Sequence, residues 1–454
     1  MSKRIRFSTA TGMSRRSFLR LSSVSSLALS PRGLSSPQEN RFLFGGIENP
    51  SCSAQKRTTS IREYLYNVTW KRKEVDTFLD PKAPNAARFD PELGYTYRDE
   101  VVKDGMDGCR TVRSFEKTGE RTMINYAHKP CRINAYGDSF TFCEQTSDGE
   151  TWEEHLAAHI GEPIRNFGVG GYGTYQAYLW MRRQEATPSG AEYLIFNCSL
   201  EDHLRSIDES RWIRYQPMWR IHPPPGHLYM FQGNPWAHIR LNLESGELVE
   251  IKNVFPTPQS MYKLCDPDFV YEHFKNDLVV KLVVAANCGT DVDQDELGSL
   301  ARALNVNADF SSPEATAKTA VALHAEYALR AGMRLIEKVQ AYASAQKKKL
   351  MVLLTPDPPE IVAVCEGRPR SDQSFVDFVK AKNIFFVDGV EKYVEYYKNF
   401  KISPGDYLKR YYTGHPNPIG NQFFAFAIKD AIVNWLDPKP PAYREGSETI
   451  PAVI

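Results

Sequence analysis

Ile133-Asn134-Ala135-Tyr136-Gly137-Asp138-Ser139-Phe140 decides how this chain is read. A mostly apolar run that ends in glycine and then serine places a hydroxyl at the carboxyl end of a strand. In open α/β sheets ligands bind at that edge. Gly-Asp-Ser is also ordinary turn chemistry, so the stretch gains meaning from two later ones. These are Asn166-Phe167-Gly168-Val169-Gly170-Gly171-Tyr172-Gly173 and Gly414-His415-Pro416-Asn417-Pro418-Ile419-Gly420-Asn421.

Serine first, Asn-x-Gly next and a histidine near the end is a block order that resembles the SGNH (GDSL-type) hydrolases, over roughly residues 130–205 and 345–436. The resemblance implies a doubly wound, flavodoxin-like sheet of five parallel strands and a serine hydrolase acting on esters. Ser139 would be the nucleophile. A serine hydroxyl needs a base within hydrogen-bond reach, and His415 is the candidate, since imidazole is mostly neutral at pH 7. The backbone N–H groups of Ser139 and Gly168 would bind the oxyanion, where preorganised donors act most strongly. No cofactor is called for.

Two departures bear on the chemistry. The family's oxyanion asparagine follows its third strand, which here reads Tyr193 to Ser199; ungapped, Glu201 takes that place. An ionised carboxylate at 3–4 Å would repel an oxyanion by about 4–5 kcal/mol at an effective ε near 20, on the order of a thousandfold in rate. Either Glu201 is protonated or turned away, or Asn197 supplies the amide, or the site is a poor esterase. The family's aspartate before the histidine is also missing, because Tyr412 and Thr413 stand there and Asp406 lies nine residues upstream. A Ser139–His415 dyad with an unidentified acid is expected.

Residues 168–173 also satisfy G-x-G-x-x-G. The acid that should follow, Glu192, sits at the start of the next strand, and the motif falls in the second βα unit, which argues against a nucleotide site.

The chain has 454 residues, 42% of them hydrophobic and 24% charged, with a net charge of +1. Residues 1–33 carry seven of the 56 basic side chains and no acidic one, so the remaining 421 residues hold 49 basic and 55 acidic groups, about −6. A mildly acidic body gives no reason to expect nucleic acid, and no run of 18 apolar residues suggests a membrane span. Ser14-Arg15-Arg16-Ser17-Phe18-Leu19-Arg20, followed by a modestly apolar segment, matches the twin-arginine export pattern. A chain exported by a bacterium to the periplasm or cell surface, with the twin-arginine machinery as partner, is expected. Met13 is an alternative start.

Eight cysteines show no C-x-x-C pair or zinc spacing, and Cys109–Cys131 is a plausible staple if the compartment is oxidising. His222-Pro-Pro-Pro-Gly-His227 has no nearby third ligand and reads as a proline-rich loop rather than a metal site.

The expected organisation is an export signal at 1–33, a flexible linker at 34–60 and a β-rich prelude at 61–130. The hydrolase-like domain follows at 131–205 and 313–440, interrupted by a partly β insertion at 206–312. Placed at the carboxyl edge, that insertion would serve as a lid or substrate wall. Its aromatics (Trp212, Tyr215, Trp219, Tyr229, Phe231 and Trp236) would either stack on sugar rings or form its own core. The expected substrate is a small-molecule or glycan ester, with acetyl esters of carbohydrates foremost by resemblance. Two other readings stand beside it: an O-acyltransferase using the same dyad, and a non-catalytic glycan-binding or structural module on a decayed hydrolase fold.

Overall fold

A computed structural model describes residues 60–83, 87–215, 233, 235–289 and 292–444. The expected export signal and linker, the histidine pair 222/227 and Trp219, Tyr229 and Phe231 lie outside the described residues.

The segment before the core is mixed rather than β alone. Two helices open it, Ile61–Asn67 and Arg72–Leu79; Ser60 caps the first by accepting from Glu63 N at 3.2 Å. Then come two antiparallel hairpins. Strands β1 (Ala87–Asp90) and β2 (Gly94–Tyr97) form the first, and β3 (Glu100–Val102) and β4 (Thr111–Arg113) the second. Asp90 Oδ1 accepts from Glu92 N and Leu93 N at 3.0 and 2.8 Å. That local competition with the ladder turns the chain.

Five strands pair in parallel: β5 (Ile133–Tyr136), β6 (Arg165–Asn166), β7 (Tyr193–Cys198), and, after a hairpin described below, Lys349–Leu354 and Phe386–Asp388. Every residue of β5 and β7 is buried, as expected of a parallel sheet covered on both faces. Side chains alternate between two cores. Ile133, Ala135, Tyr193, Ile195, Met351 and Leu353 face the helices Trp152–Ile160 and Pro418–Trp435. Tyr136, Leu194, Phe196, Val352 and Leu354 face Thr174–Glu185 and the long Pro313–Ala345 helix.

In order of appearance the five strands lie 2-1-3-4-5 across the sheet. The chain leaves β5 for β6 on one side and returns to β7 on the other. The crevice beyond the carboxyl ends of β5 and β7 is therefore the topological switch point, where such sheets bind ligands.

Among the described residues the insertion holds one hairpin, β8 (His238–Leu241) with β9 (Leu248–Ile251). Its other described elements are helical: Ser260–Cys265, Pro267–Phe274, Leu278–Cys288 and Gln294–Leu304. With these placed, the last two strands of the main sheet are β10 (Lys349–Leu354) and β11 (Phe386–Asp388). Val280, Leu282, Val283 and Leu300 join the same apolar core as Phe196 and Val352. These elements thicken one face of the sheet, while Arg211 and Arg214 of the insertion reach its edge at Gly171 O and Glu201.

Trp236 is buried, and Trp212 stacks on Trp70 with ring centroids 4.4 Å apart. These two aromatics are core, not a sugar platform. Cys109 and Cys131 are both free thiols, so the staple is absent. No described helix is long and apolar enough to cross a membrane.

Candidate active site

Gly137 links β5 to a one-turn helix, Ser139–Phe142. A Cβ there would come within 2.2 Å of Thr141 Oγ1 and 3.0 Å of Asn197 Cβ, so only glycine fits the corner. Asp138 caps the turn, its Oδ1 accepting from Phe140 N at 2.9 Å, and Cys143 ends it in the left-handed region at φ 59°. Ser139 stands at the first helical position and is 3% exposed.

The structure brings Ser139 and His415 together. Ser139 Oγ lies 2.8 Å from His415 Nε2 and 3.2 Å from Asp138 Oδ2. The loop carrying the histidine is held from several sides. His415 N donates to Gln145 Oε1 at 2.8 Å, its carbonyl accepts from Thr413 N at 2.9 Å, and Tyr412 Oη donates to Pro356 O at 2.7 Å. Gly414 has φ +112°, a value that favours glycine. Asn417 caps the following helix, accepting from Gly420 N at 2.9 Å.

One carboxylate among the described residues pairs with the imidazole: Glu144 Oε2 is 3.3 Å from His415 Nε2. Asp406 is engaged elsewhere, with Lys409 at 2.8 Å and Ser403 at 2.7 Å. Behind the nucleophile turn, Cys143 Sγ lies 3.5 Å from Glu153 Oε2, and burial pushes the Glu153 carboxyl up to about 8.

Gly168 N–H donates to Asn166 Oδ1 at 2.9 Å, and a Cβ on it would meet Phe142 N at 2.2 Å. Glycine at this position allows close approach to the Ser139 turn. Added Cβ atoms at Gly170 and Gly173 would likewise meet Tyr97 Oη at 2.6 Å and Ser206 N at 2.8 Å. Protein atoms fill the space a dinucleotide phosphate would need. Around the Gly137 corner, Asn197 Nδ2 and Thr141 Oγ1 are buried without a hydrogen-bond partner among the described residues. Asn197 is 2% exposed and its Oδ1 accepts from Thr355 Oγ1 at 2.7 Å. That bond fixes the amide and leaves its NH2 unsatisfied beside the Gly137 corner. A buried donor left so costs about 1–3 kcal/mol, which marks Asn197 as a group awaiting an acceptor.

Both oxygens of Glu201 are occupied. Oε1 accepts from Arg205 Nε at 3.0 Å, from Arg214 Nη2 at 2.9 Å and from Tyr215 Oη; Oε2 accepts from Arg214 Nη1 at 3.1 Å. Burial pushes this carboxyl up, but Arg214 and then Arg205 overcome it and hold the group well below the usual carboxylate range. Glu201 is thus ionised and locked among arginines. Arg205 extends the network, its Nη1 reaching Asp138 Oδ2 at 3.0 Å and Asp202 Oδ1 at 2.9 Å. Burial, together with the charge of Asp138, pushes the Asp202 carboxyl well up.

Reading the sequence missed Glu144, Gln145, Thr355 and Arg205. The one available signal was that Glu144 and Gln145 directly follow a one-turn helix that begins at the serine.

No family model and no curated protein matches the chain. A solved crystal structure aligns with 66% of this chain and 95% of its own, at 13% identity and a TM-score of 0.30.

Proposed function

We propose that the protein is a serine hydrolase of the SGNH type that cleaves esters. The observation carrying this reading is the 2.8 Å contact between Ser139 Oγ and His415 Nε2 at the switch point of a parallel sheet. Ser139 Oγ attacks the ester carbonyl carbon while its proton passes to Nε2. The oxyanion is received by Ser139 N–H and by Asn197 Nδ2, a buried donor without a partner among the described residues. Collapse breaks the bond to the leaving alkoxide, which takes the proton back from Nε2. Water then repeats the sequence on the acyl-enzyme.

Glu201 no longer weighs against catalysis, because its charge is balanced by Arg205 and Arg214. Acyl esters of carbohydrates remain the proposed substrates, with a sugar hydroxyl in place of water giving the acyltransferase variant. Export through Arg15-Arg16 belongs to the same reading.

The test is labelling by a fluorophosphonate and hydrolysis of p-nitrophenyl acetate by wild type, Ser139→Ala and His415→Ala. Each variant is expected to lose at least about a thousandfold in kcat/KM. Wild-type protein that neither labels at Ser139 nor hydrolyses the ester would end the proposal and leave the non-catalytic reading.

A further inference from the structure

We infer that Glu144 is the missing acid of this site and that it acts at Nε2 of His415, the nitrogen that takes the proton, rather than at Nδ1. The inference rests on the serine-hydrolase reading above and names a residue that reading leaves open.

One nitrogen faces two oxygens, Ser139 Oγ at 2.8 Å and Glu144 Oε2 at 3.3 Å. The mechanism requires the tautomer in which the Nε2 lone pair accepts from the serine hydroxyl, turned from Asp138 Oδ2 toward the ring; Glu144 Oε2 then has no N–H to accept from on that nitrogen. Once the Oγ–H bond has broken and the N–H bond has formed, the imidazolium Nε2–H points at both oxygens. The carboxylate then gains a charge-assisted hydrogen bond that the ground state lacked. An interaction that exists only after proton transfer lowers the barrier, whereas one present throughout does not. When the proton leaves with the alkoxide, the pair dissolves again.

The fold ties this acid to the nucleophile. Glu144 N donates to Ser139 O at 3.0 Å, so both residues belong to one hydrogen-bonded turn and move together. The charged and titratable groups around Glu144 are His415, Arg113 of β4, Glu100 of β3, and Tyr95 and Tyr97 of β2. Arg113 is buried and pairs with Glu100 at 2.7 Å and with Asp104. Although burial disfavours its charge, Glu144 leads the carboxylates that keep it protonated.

The experiment measures kcat/KM for p-nitrophenyl acetate and the rate of fluorophosphonate labelling from pH 5 to 9. It compares wild type, Glu144→Gln, Glu144→Asp and Ser139→Ala. Removing the carboxylate is expected to lower the plateau about 10- to 100-fold. With kcat and KM separated, the loss falls on kcat and leaves KM within about twofold, because the carboxylate acts only once the proton is on Nε2. Glu144→Asp keeps the charge and should recover most of the wild-type kcat. A merely structural role would lower the urea midpoint of Glu144→Gln and raise KM along with the loss of kcat. Glu144→Gln with wild-type kcat, alongside an inert Ser139→Ala, overturns this inference alone. Wild-type rates in Ser139→Ala overturn the hydrolase reading and this inference with it.

Discussion

Arg205 Nη1 sits 3.0 Å from Asp138 Oδ2, the same oxygen that stands 3.2 Å from Ser139 Oγ. A carboxylate beside a nucleophile competes with the base for its proton. The guanidinium occupies that oxygen and also holds Asp202 and Glu201. Replacing Arg205 by Met leaves this set of buried carboxylates short of a cation. Breaking such a network costs about 3–5 kcal/mol, expected as a lower urea midpoint. Fluorophosphonate labelling of the fraction still folded should also slow, as the Ser139 hydroxyl turns toward Asp138. An unchanged midpoint would refute the network's structural role.

Glu201→Gln separates the caged carboxylate from one that spoils the oxyanion site. With its charge already balanced by Arg205 and Arg214, the neutral amide should give no tenfold gain in kcat/KM. It should instead destabilise the fold, since Arg205 and Arg214 lose the carboxylate they share and keep only Asp138, Asp202 and Asp208. The group's folded pKa is depressed, so its stabilising contribution is complete above the unfolded carboxylate pKa. It is lost as pH falls below that value toward the folded one. Wild-type Tm should therefore decline below about pH 4.5 more steeply than that of the variant. A large activity gain at pH 7 would contradict the cage.

Glu153 has the opposite sign. Burial raises its carboxyl from 4.5 to about 8, so the folded state holds a proton that the unfolded state has released. Stability is complete below the unfolded value and falls as pH rises through this interval, by up to a few kcal/mol at about 1.4 kcal/mol per unit. Glu153→Gln stays neutral, so it should equal wild type near pH 5 and melt at a higher temperature than wild type at pH 9. Parallel Tm profiles for the two proteins would show that Glu153 does not titrate in this way.

Asn197→Ala removes the unpartnered amide beside the Gly137 corner. Loss of one oxyanion donor costs about a hundred- to a thousandfold in kcat, while removal of an unsatisfied buried donor should not lower the urea midpoint by more than the lost packing requires. A variant with wild-type kcat would show that Asn197 does not serve the oxyanion.

Gly168→Ala tests whether that glycine serves packing or substrate. Its methyl would meet Phe142 N at 2.2 Å, and overpacking of this kind costs typically about 1–3 kcal/mol. The expected outcome is a lower urea midpoint with displacement of the Ser139 turn. A variant of wild-type stability with altered KM alone would restore the substrate-facing role.

The sheet was legible because a buried parallel strand announces itself as an apolar run. Tyr193–Cys198 and Lys349–Leu354 lie where such runs do, and Gln373–Ala381 forms a helix between the last two strands. The prelude misled because its turn residues mark hairpins clearly, whereas two short helices lack a long periodic stripe. Leu278–Cys288 is rich in valine and reads as easily as a strand; packing on the long helix decides its form. Ser139 and His415 stood out because special backbone turns demand glycine, asparagine and proline around them. Glu144 did not, since its meaning comes from a loop that arrives 271 residues later, a pairing that no local pattern encodes.

The two residues of the dyad are separated by 276 positions in sequence, and the histidine enters from a loop just before the last long helix. A chain emerging from the ribosome presents the serine with no base until nearly all of the sheet, both cores and the final turn have been made. Closing so wide a span comes late in folding, after nearer contacts have formed. A truncated chain that stops before residue 404 would carry the nucleophile and remain inert. On the proposed mechanism, reactivity at Ser139 would report arrival of His415, so that a single covalent label could count molecules in which that late span has closed.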